Sequence, residues 1–218
     1  VPLTFRDVLD RDALLRATDA AAGLVGHPAV AGAWEQESAL PGLTVGGLAV
    51  HLASQADAAV EFLGLEPVPA DAPLVALADS FARADWFTAP VDAPENTSIR
   101  DEFNAMAAVG PERAAQWLQQ SRAQLPAAVQ GAGPTTYVPW LGCRLATDDF
   151  LVVRTLETVV HADDLAVSAG LPTPAFDEDV LHPVLALLAV LGGRRHGQDA
   201  ALRALARAER ATAVAAAF

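Results

Sequence analysis

Residues Thr147 to Ser168 read as one long helix that is apolar on nearly every side, and the few ionisable groups it carries fall on a single stripe. At about 100° per residue, Arg154, Glu157, His161, Asp164 and Ser168 share an arc of about 80°. Val153 and Val160 flank that arc on one side and Leu151 and Leu165 on the other, while Thr155, Val159 and Ala162 cover the far face. A helix of this pattern is buried. Its charged stripe must therefore be paired, hold a metal or line a cavity, because an unmatched charge in an apolar interior is too costly to keep.

The rest of the chain supplies helices for this one to pack on. Thr4 is placed to cap a first helix reaching Gly26, with Phe5, Val8, Leu9, Leu15 and Leu24 on its apolar face. Gly26 to Gly42, containing Pro28 and Pro41, is expected to be a long connection carrying Trp34. Thr44 starts a second helix through Leu63, closed by Gly64 with Pro67 and Pro69 beyond it. A short helix is expected around Leu74 to Trp86. Asn96-Thr97-Ser98 is read as the cap of a third long helix reaching Val129, with an interruption at Gly110-Pro111, and Gly131 to Pro139 as a turn-rich loop. Asp148 and Asp149 sit in the first turn of the fourth helix, where the helix dipole favours them, and Gly170 with Pro172 ends it. Phe176 to Phe218 reads as two smaller helices divided at Gly192-Gly193, with a tail, Ala211 to Ala217, expected to fray. Four long helices without a β alternation of comparable strength predict an all-α protein: a four-helix bundle over residues 1–175 with a short helical extension, 176–218, packed on it.

Composition narrows the function. Fourteen basic residues against 27 acidic ones give a net charge of −13, so nucleic acid and anionic membrane surfaces are excluded as expected partners. All the basic residues are Arg, and without Lys neither a Schiff-base nor a P-loop lysine mechanism is open. The single cysteine, Cys143, can form neither an internal disulfide nor a cysteine-built metal site, which suits a reducing compartment. The amino-terminal residues lack the basic-then-apolar order of a signal peptide, and the longest apolar run, Val184 to Leu191, falls far short of the roughly 20 residues that span a bilayer. A cytoplasmic protein acting on a small molecule, as monomer or homodimer, is expected.

Glu157 and His161 are four residues apart, which stacks a carboxylate and an imidazole on one face and lets both reach one ion. That spacing alone is weak evidence. A third ligand would come from another helix, and His51 is the candidate, midway along an Ala/Leu/Val-rich segment and sharing its face with Thr44, Gly47, Leu48, Gln55, Ala58 and Phe62. The alternative is a core histidine satisfied by one hydrogen bond. Two inward-facing ionisable placements in separate apolar helices favour a shared ion over either alone. Two imidazoles and one carboxylate suit Zn²⁺ with a fourth position left for water or substrate, and Fe(II) or Ni(II) are compatible with the same ligand types. By ligand counting such a site keeps a charge of about +1 and attracts a thiolate, hydroxide or carboxylate.

Two segments carry a family resemblance. Leu43-Thr44-Val45-Gly46-Gly47-Leu48-Ala49-Val50-His51-Leu52, together with the run from Asp148-Asp149-Phe150 through Arg154-Thr155-Leu156-Glu157-Thr158-Val159-Val160-His161-Ala162-Asp163-Asp164 to Ala166, resembles the maleylpyruvate isomerase amino-terminal domain family. This is the mycothiol-dependent branch of the DinB-like metalloenzyme superfamily. The similarity runs from the Trp34 region to Gly170-Leu171-Pro172, and Arg194-Arg195-His196-Gly197 through Arg203-Ala204-Leu205 is also similar to members of the family. The resemblance implies a DinB-like antiparallel four-helix bundle whose divalent metal, usually zinc, is held by His51, Glu157 and His161. It also implies a low-molecular-weight thiol, mycothiol or bacillithiol, as cosubstrate for S-transfer or isomerisation. Residues 176–218 stand where the isomerase has a larger domain that helps complete its active site.

A thiol deprotonated on a metal is a nucleophile that needs no protein cysteine. Within this picture Arg154 is the candidate to hold a carboxylate of substrate or thiol, and Asp164 to orient a ligand imidazole or transfer a proton; the alternative for both is an internal Arg–acid pair that steadies the bundle. Asp163 projects elsewhere and is expected to be a cap or surface partner. Trp34, Trp86 and Trp140 are assigned to core packing, with the mouth of the pocket as the alternative for each, and His27, His182 and His196 to solvent. Two other functions use the same residues: a non-catalytic small-molecule binding or resistance protein, and a metal-dependent hydrolase whose open position holds water.

Overall fold

The computed structural model describes residues 2–206 and 208–210. Four long helices form the bundle: α1 (Asp12–Val25), α3 (Val45–Leu63), α7 (Pro111–Gly131) and α8 (Thr147–Ser168). The short helix α2 (Pro28–Gly32) interrupts the connection expected between the first two, started by His27, whose Nδ1 accepts from the Ala29 amide at 3.1 Å. The crossover from α3 to α7 carries α4 (Leu77–Phe81), α5 (Asp85–Thr88) and α6 (Pro94–Met106), and α9 (Glu178–His196) and α10 (Gln198–Ala206) follow the bundle. The expected fraying of Ala211–Ala217 lies outside the described residues. Among those residues no helix is long and apolar enough to cross a membrane.

The pairs made between helices fix their directions. Phe62 meets Phe150, Gln55 meets Arg154 and His51 meets Glu157, so α3 and α8 run antiparallel. Asp19 pairs with Arg122, and Leu15 shares a groove with Pro126 and Gln130, so α1 and α7 are antiparallel as well. Trp34, which lies on the first turn of α3, donates from its indole to the carbonyl of Ala107 just before α7 (3.0 Å), so α3 and α7 start at the same end. The bundle is thus up-down-down-up, which requires the long crossover through α4, α5 and α6.

Local signals held where nothing distant competed with them. Thr44 caps α3, its hydroxyl accepting from the Gly47 amide at 2.9 Å, and α8 spans the expected residues. Thr4 does not cap α1, which begins at Asp12. Its hydroxyl and the Phe5 amide instead donate to the carboxylate of Asp149 (3.0 and 2.7 Å), while the Asp7 amide and Arg11 Nε donate to Asp148 (2.8 and 2.6 Å). Two acids expected to complement a dipole therefore also tie the amino-terminal segment to the foot of α8.

The interruption at Gly110-Pro111 is complete. A 3₁₀ turn, Ala107–Val109, and Gly110 at φ 82° split the third helical region into α6 and α7. Asn96 does not cap α6, which starts at Pro94; its amide donates to the carbonyls of Trp86 and Pro90. The break expected at Gly192-Gly193 is not there: α9 runs through both glycines and stops at Gly197, whose φ of 87° suits glycine alone. The loop Gly131 to Pro139 contains a strand, β1 (Thr135–Val138), paired antiparallel with β2 (Cys143–Ala146) around a 3₁₀ turn at Pro139–Leu141. Arg144 on the edge of β2 also bonds to the Pro73–Val75 backbone (2.8 and 2.9 Å), which brings the crossover to the hairpin.

Gly46 and Gly47 let neighbouring segments close on the first turn of α3. A Cβ on Gly46 would lie 2.6 Å from the Trp34 ring, and one on Gly47 would lie 2.5 Å from Oδ1 of Asn104, the atom that accepts from the Thr44 amide and hydroxyl. Gly46→Ala should therefore destabilise the protein by about 1–3 kcal/mol through overpacking, read as a lower midpoint in thermal denaturation. Gly32→Ala, where a Cβ meets nothing within 4 Å, is the control, and equal midpoints for the two variants would contradict this packing.

Candidate metal centre

The polar stripe of α8 faces α3. Oε2 of Glu157 lies 3.2 Å from Nε2 of His161 on the same helix and 3.7 Å from Nε2 of His51 across the interface. The two imidazoles stand edge to face with centroids 4.6 Å apart, and one donor atom from each of the three side chains lies within 4.8 Å of the others. Phe103 of α6 also stands edge to face with His51, ring centroids 4.3 Å apart. Nδ1 of His161 donates to Asp164 at 3.0 Å, which fixes the ring and leaves Nε2 turned toward Glu157.

The electrostatics follow from burial and from these contacts. Burial lowers the pKa of His51 and outweighs the pull of the Glu157 carboxylate 3.7 Å away, so this ring stays neutral. Burial acts against charge on Glu157 and His161 too, but there the bonds win. The nearby His161 and His51 imidazoles, their Nε2 atoms 3.2 and 3.7 Å away, hold the Glu157 carboxyl well below the usual carboxylate range, and Asp164 and Glu157 raise His161. Nδ1 of His51 is buried without a partner. Ligand atoms sharing one tetrahedral zinc stand roughly 3.3 Å apart, and the separations from Glu157 bracket that value. Two nitrogens and one carboxylate oxygen, mostly buried yet open to a cleft through Glu157, are a donor set that could hold such an ion.

Over residues 14–166 the chain matches the family described as the mycothiol maleylpyruvate isomerase N-terminal domain. The chain belongs to this family. No curated protein and no solved structure was found to match it. The isomerase-domain match takes in all four bundle helices except the first two residues of α1 and the last two of α8, together with His51, Arg154, Glu157, His161 and Asp164.

Beside the three converging groups is a narrow apolar cleft of about 40 Å³, with Glu157 and Arg154 in its lining and Phe81, Trp86, Trp140 and Phe150 among its walls. The internal Arg–acid pair considered for Arg154 does not form among the described residues. Nη1 of Arg154 instead donates to Oε1 of Gln55 at 2.7 Å, and the guanidinium carbon lies 5.8 and 5.7 Å from the Trp140 and Phe150 rings. Trp34 is a core residue as expected, but Trp86 and Trp140 line the cleft, and Trp140 is 54% exposed. Ser168, on the stripe by sequence, accepts from the Ala39 amide and takes no part in the cluster. Asp163 accepts from the Thr173 hydroxyl at the surface, and His27 and His182 are exposed.

Gln55 and Phe103 carry no role in the sequence reading. Gln55 had a usable signal, being an amide one turn from His51 on a mostly apolar face. Phe103 had none, since it reaches His51 only through the crossover. Replacing Gln55 with Leu removes the one hydrogen bond that the buried Arg154 guanidinium makes among the described residues and should cost about 1–3 kcal/mol, measured as a lower urea midpoint at unchanged slope. No loss of stability would mean that Arg154 is held by something other than Gln55.

Proposed function

We propose that the chain is a divalent-metal dependent enzyme, with zinc the best match to the ligands, that transfers a low-molecular-weight thiol such as mycothiol to a small electrophilic substrate or uses it to isomerise one. The observation that supports this most directly is the meeting of two imidazoles and one carboxylate beside an aromatic cleft, on the fold of a family named for both a thiol and an isomerisation. His51, Glu157 and His161 would hold the ion. When bound, it supplies the positive charge that lets a thiol lose its proton near neutral pH.

The remaining work falls to this chain's own groups. His51, kept neutral by burial, offers a free lone pair. Asp164 is a positioning residue, fixing the His161 tautomer through Nδ1–H. Phe81, Trp86 and Phe150 give the electrophile an apolar bed, and Arg154 stands one turn from Glu157 to orient it. Cys143, the single cysteine, is buried in β2 with its thiol pKa pushed up by burial, so its thiol does not compete as a nucleophile. For isomerisation, the thiolate adds to a conjugated double bond, the resulting single bond rotates, and elimination returns both thiolate and alkene, with no net change in protons or electrons. For transfer, the same addition is completed by a proton, or a leaving group departs with the electron pair of the broken bond.

His51→Ala and Glu157→Ala should each purify with less than about a tenth of the wild-type zinc while circular dichroism remains helical, and thiol-dependent turnover should fall at least about 100-fold. Full zinc occupancy in both variants would remove the reading. Thiol-independent hydrolysis by the wild type would point to a hydrolase, and tight ligand binding without product to a binding protein.

Because Asp164 and Glu157 raise the pKa of metal-free His161 to about 9, a proton competes with the ion below that pH. Zinc loading at pH 7 should release about one proton, and its dissociation constant should rise about tenfold per unit of acidification. Calorimetry in buffers of different ionisation heat measures both; a pH-independent affinity would contradict ligation by His161.

A further inference from the structure

Arg154 is the group in the cleft whose chemistry is incomplete. Its side chain is nine-tenths buried, at 9% exposure, yet among the described residues it makes no ion pair. Its guanidinium forms one hydrogen bond there, Nη1 to Gln55, and Nε is buried without any partner. Glu157 is near enough for its field to be felt, but its carboxylate is already engaged by His51 and His161. A buried guanidinium held by a neutral amide and two aromatic faces is expensive unless an anion completes it. Gln55 takes the Nη1 side, and Nε–H and Nη2–H share the opposite edge, the one that receives a planar carboxylate through two parallel bonds.

We propose that this edge of Arg154 is an anion subsite and that the cleft takes an apolar, planar monocarboxylate. The carboxylate sits on Nε and Nη2, and the ligand body lies among Trp86, Trp140 and Phe150. The inference rests on reading the cleft as the substrate site, but it needs neither the metal nor the thiol.

The rest of the lining selects for a single charge. Arg154 is the one cation among the lining residues, the Ser80 hydroxyl is spent on the Leu77 carbonyl at 2.6 Å, and Glu157 repels a second carboxylate. Nε is closed off from solvent, so the anion enters by displacing a neighbour. Trp140 is that neighbour: it lies against the guanidinium, is more than half exposed, and sits on the short 3₁₀ turn of the hairpin.

The full-length chain, stripped of metal with a chelator and separately loaded with zinc, is titrated calorimetrically with cinnamate, its neutral isostere cinnamamide, and the dicarboxylate fumarate. In both forms cinnamate should bind at least about tenfold tighter than the other two. Gln55→Glu, which gives Arg154 an internal carboxylate, and Arg154→Gln should each abolish the preference for cinnamate over cinnamamide. Circular dichroism of each variant verifies the fold, and Gln55→Glu keeps the test decisive if Arg154→Gln fails to fold. Equal binding of acid and amide by the wild type overturns the proposal, as does a preference that survives in a folded variant. A preference seen only with zinc also overturns it, because the anion would then sit on the ion. A preference in the metal-free form stands even if no thiol chemistry is ever found.

Discussion

The antiparallel contact between α3 and α8 brings together groups that neither helix could bury alone. His51 lies against Glu157 and His161, Gln55 against Arg154, and Phe62 against Phe150. A slip of one turn, about 5.4 Å, would take His51 away from Glu157 and Gln55 away from Arg154, setting Gly47 against Glu157 in one direction or Ala58 against Arg154 in the other, and a buried charge that loses its partner bears its desolvation uncompensated. The polar contacts thus specify one register for an interface whose apolar residues would tolerate several. The groups that impose this register are also the ones that meet at the cleft.

The remainder of the fold gives this contact its surroundings. Because the bundle is up-down-down-up, the chain must travel its full length between α3 and α7, and that crossover supplies Phe103 beside His51 and Phe81 and Trp86 in the cleft wall. The β1–β2 hairpin contributes Trp140 and Leu145 to the other wall. Helix α9 secures the rim from outside: Arg194 pairs with Asp79 at 2.8 Å and Arg195 donates to the Phe87 carbonyl. Segments with weak helical signals of their own are thus held by polar contacts to stronger elements, and these segments carry the residues that shape the cleft.

How far each expectation held depended on the range of the interaction behind it. Thr44 was legible as a cap because its acceptor geometry lies within three residues, whereas Thr4 is equally good by composition and is drawn to Asp149, 145 positions away. The hairpin strands have four residues each, too few to show an alternation against the surrounding turn residues. Gly192-Gly193 looked like a break because paired glycines weaken a helix, but Gly192 is buried in the continuous α9, and the chain ends that helix where a left-handed residue is needed. Trp140 read as core because tryptophans usually are, and its exposure comes from its place at the tip of a hairpin turn.

From the linear chain alone one can read that α8 is a buried helix with a polar stripe, that His51 is an isolated ionisable group in an apolar helix, and that the protein is an all-α bundle. Each of these follows from periodicity or composition within a few turns. Tertiary structure alone decides that Arg154 takes an amide rather than an acid as its partner, that Phe103 closes over His51, and that Trp86 and Trp140 face a cleft. These contacts join residues tens of positions apart. Their energies depend on which surfaces the crossover and the hairpin bring together, and no local pattern records that choice.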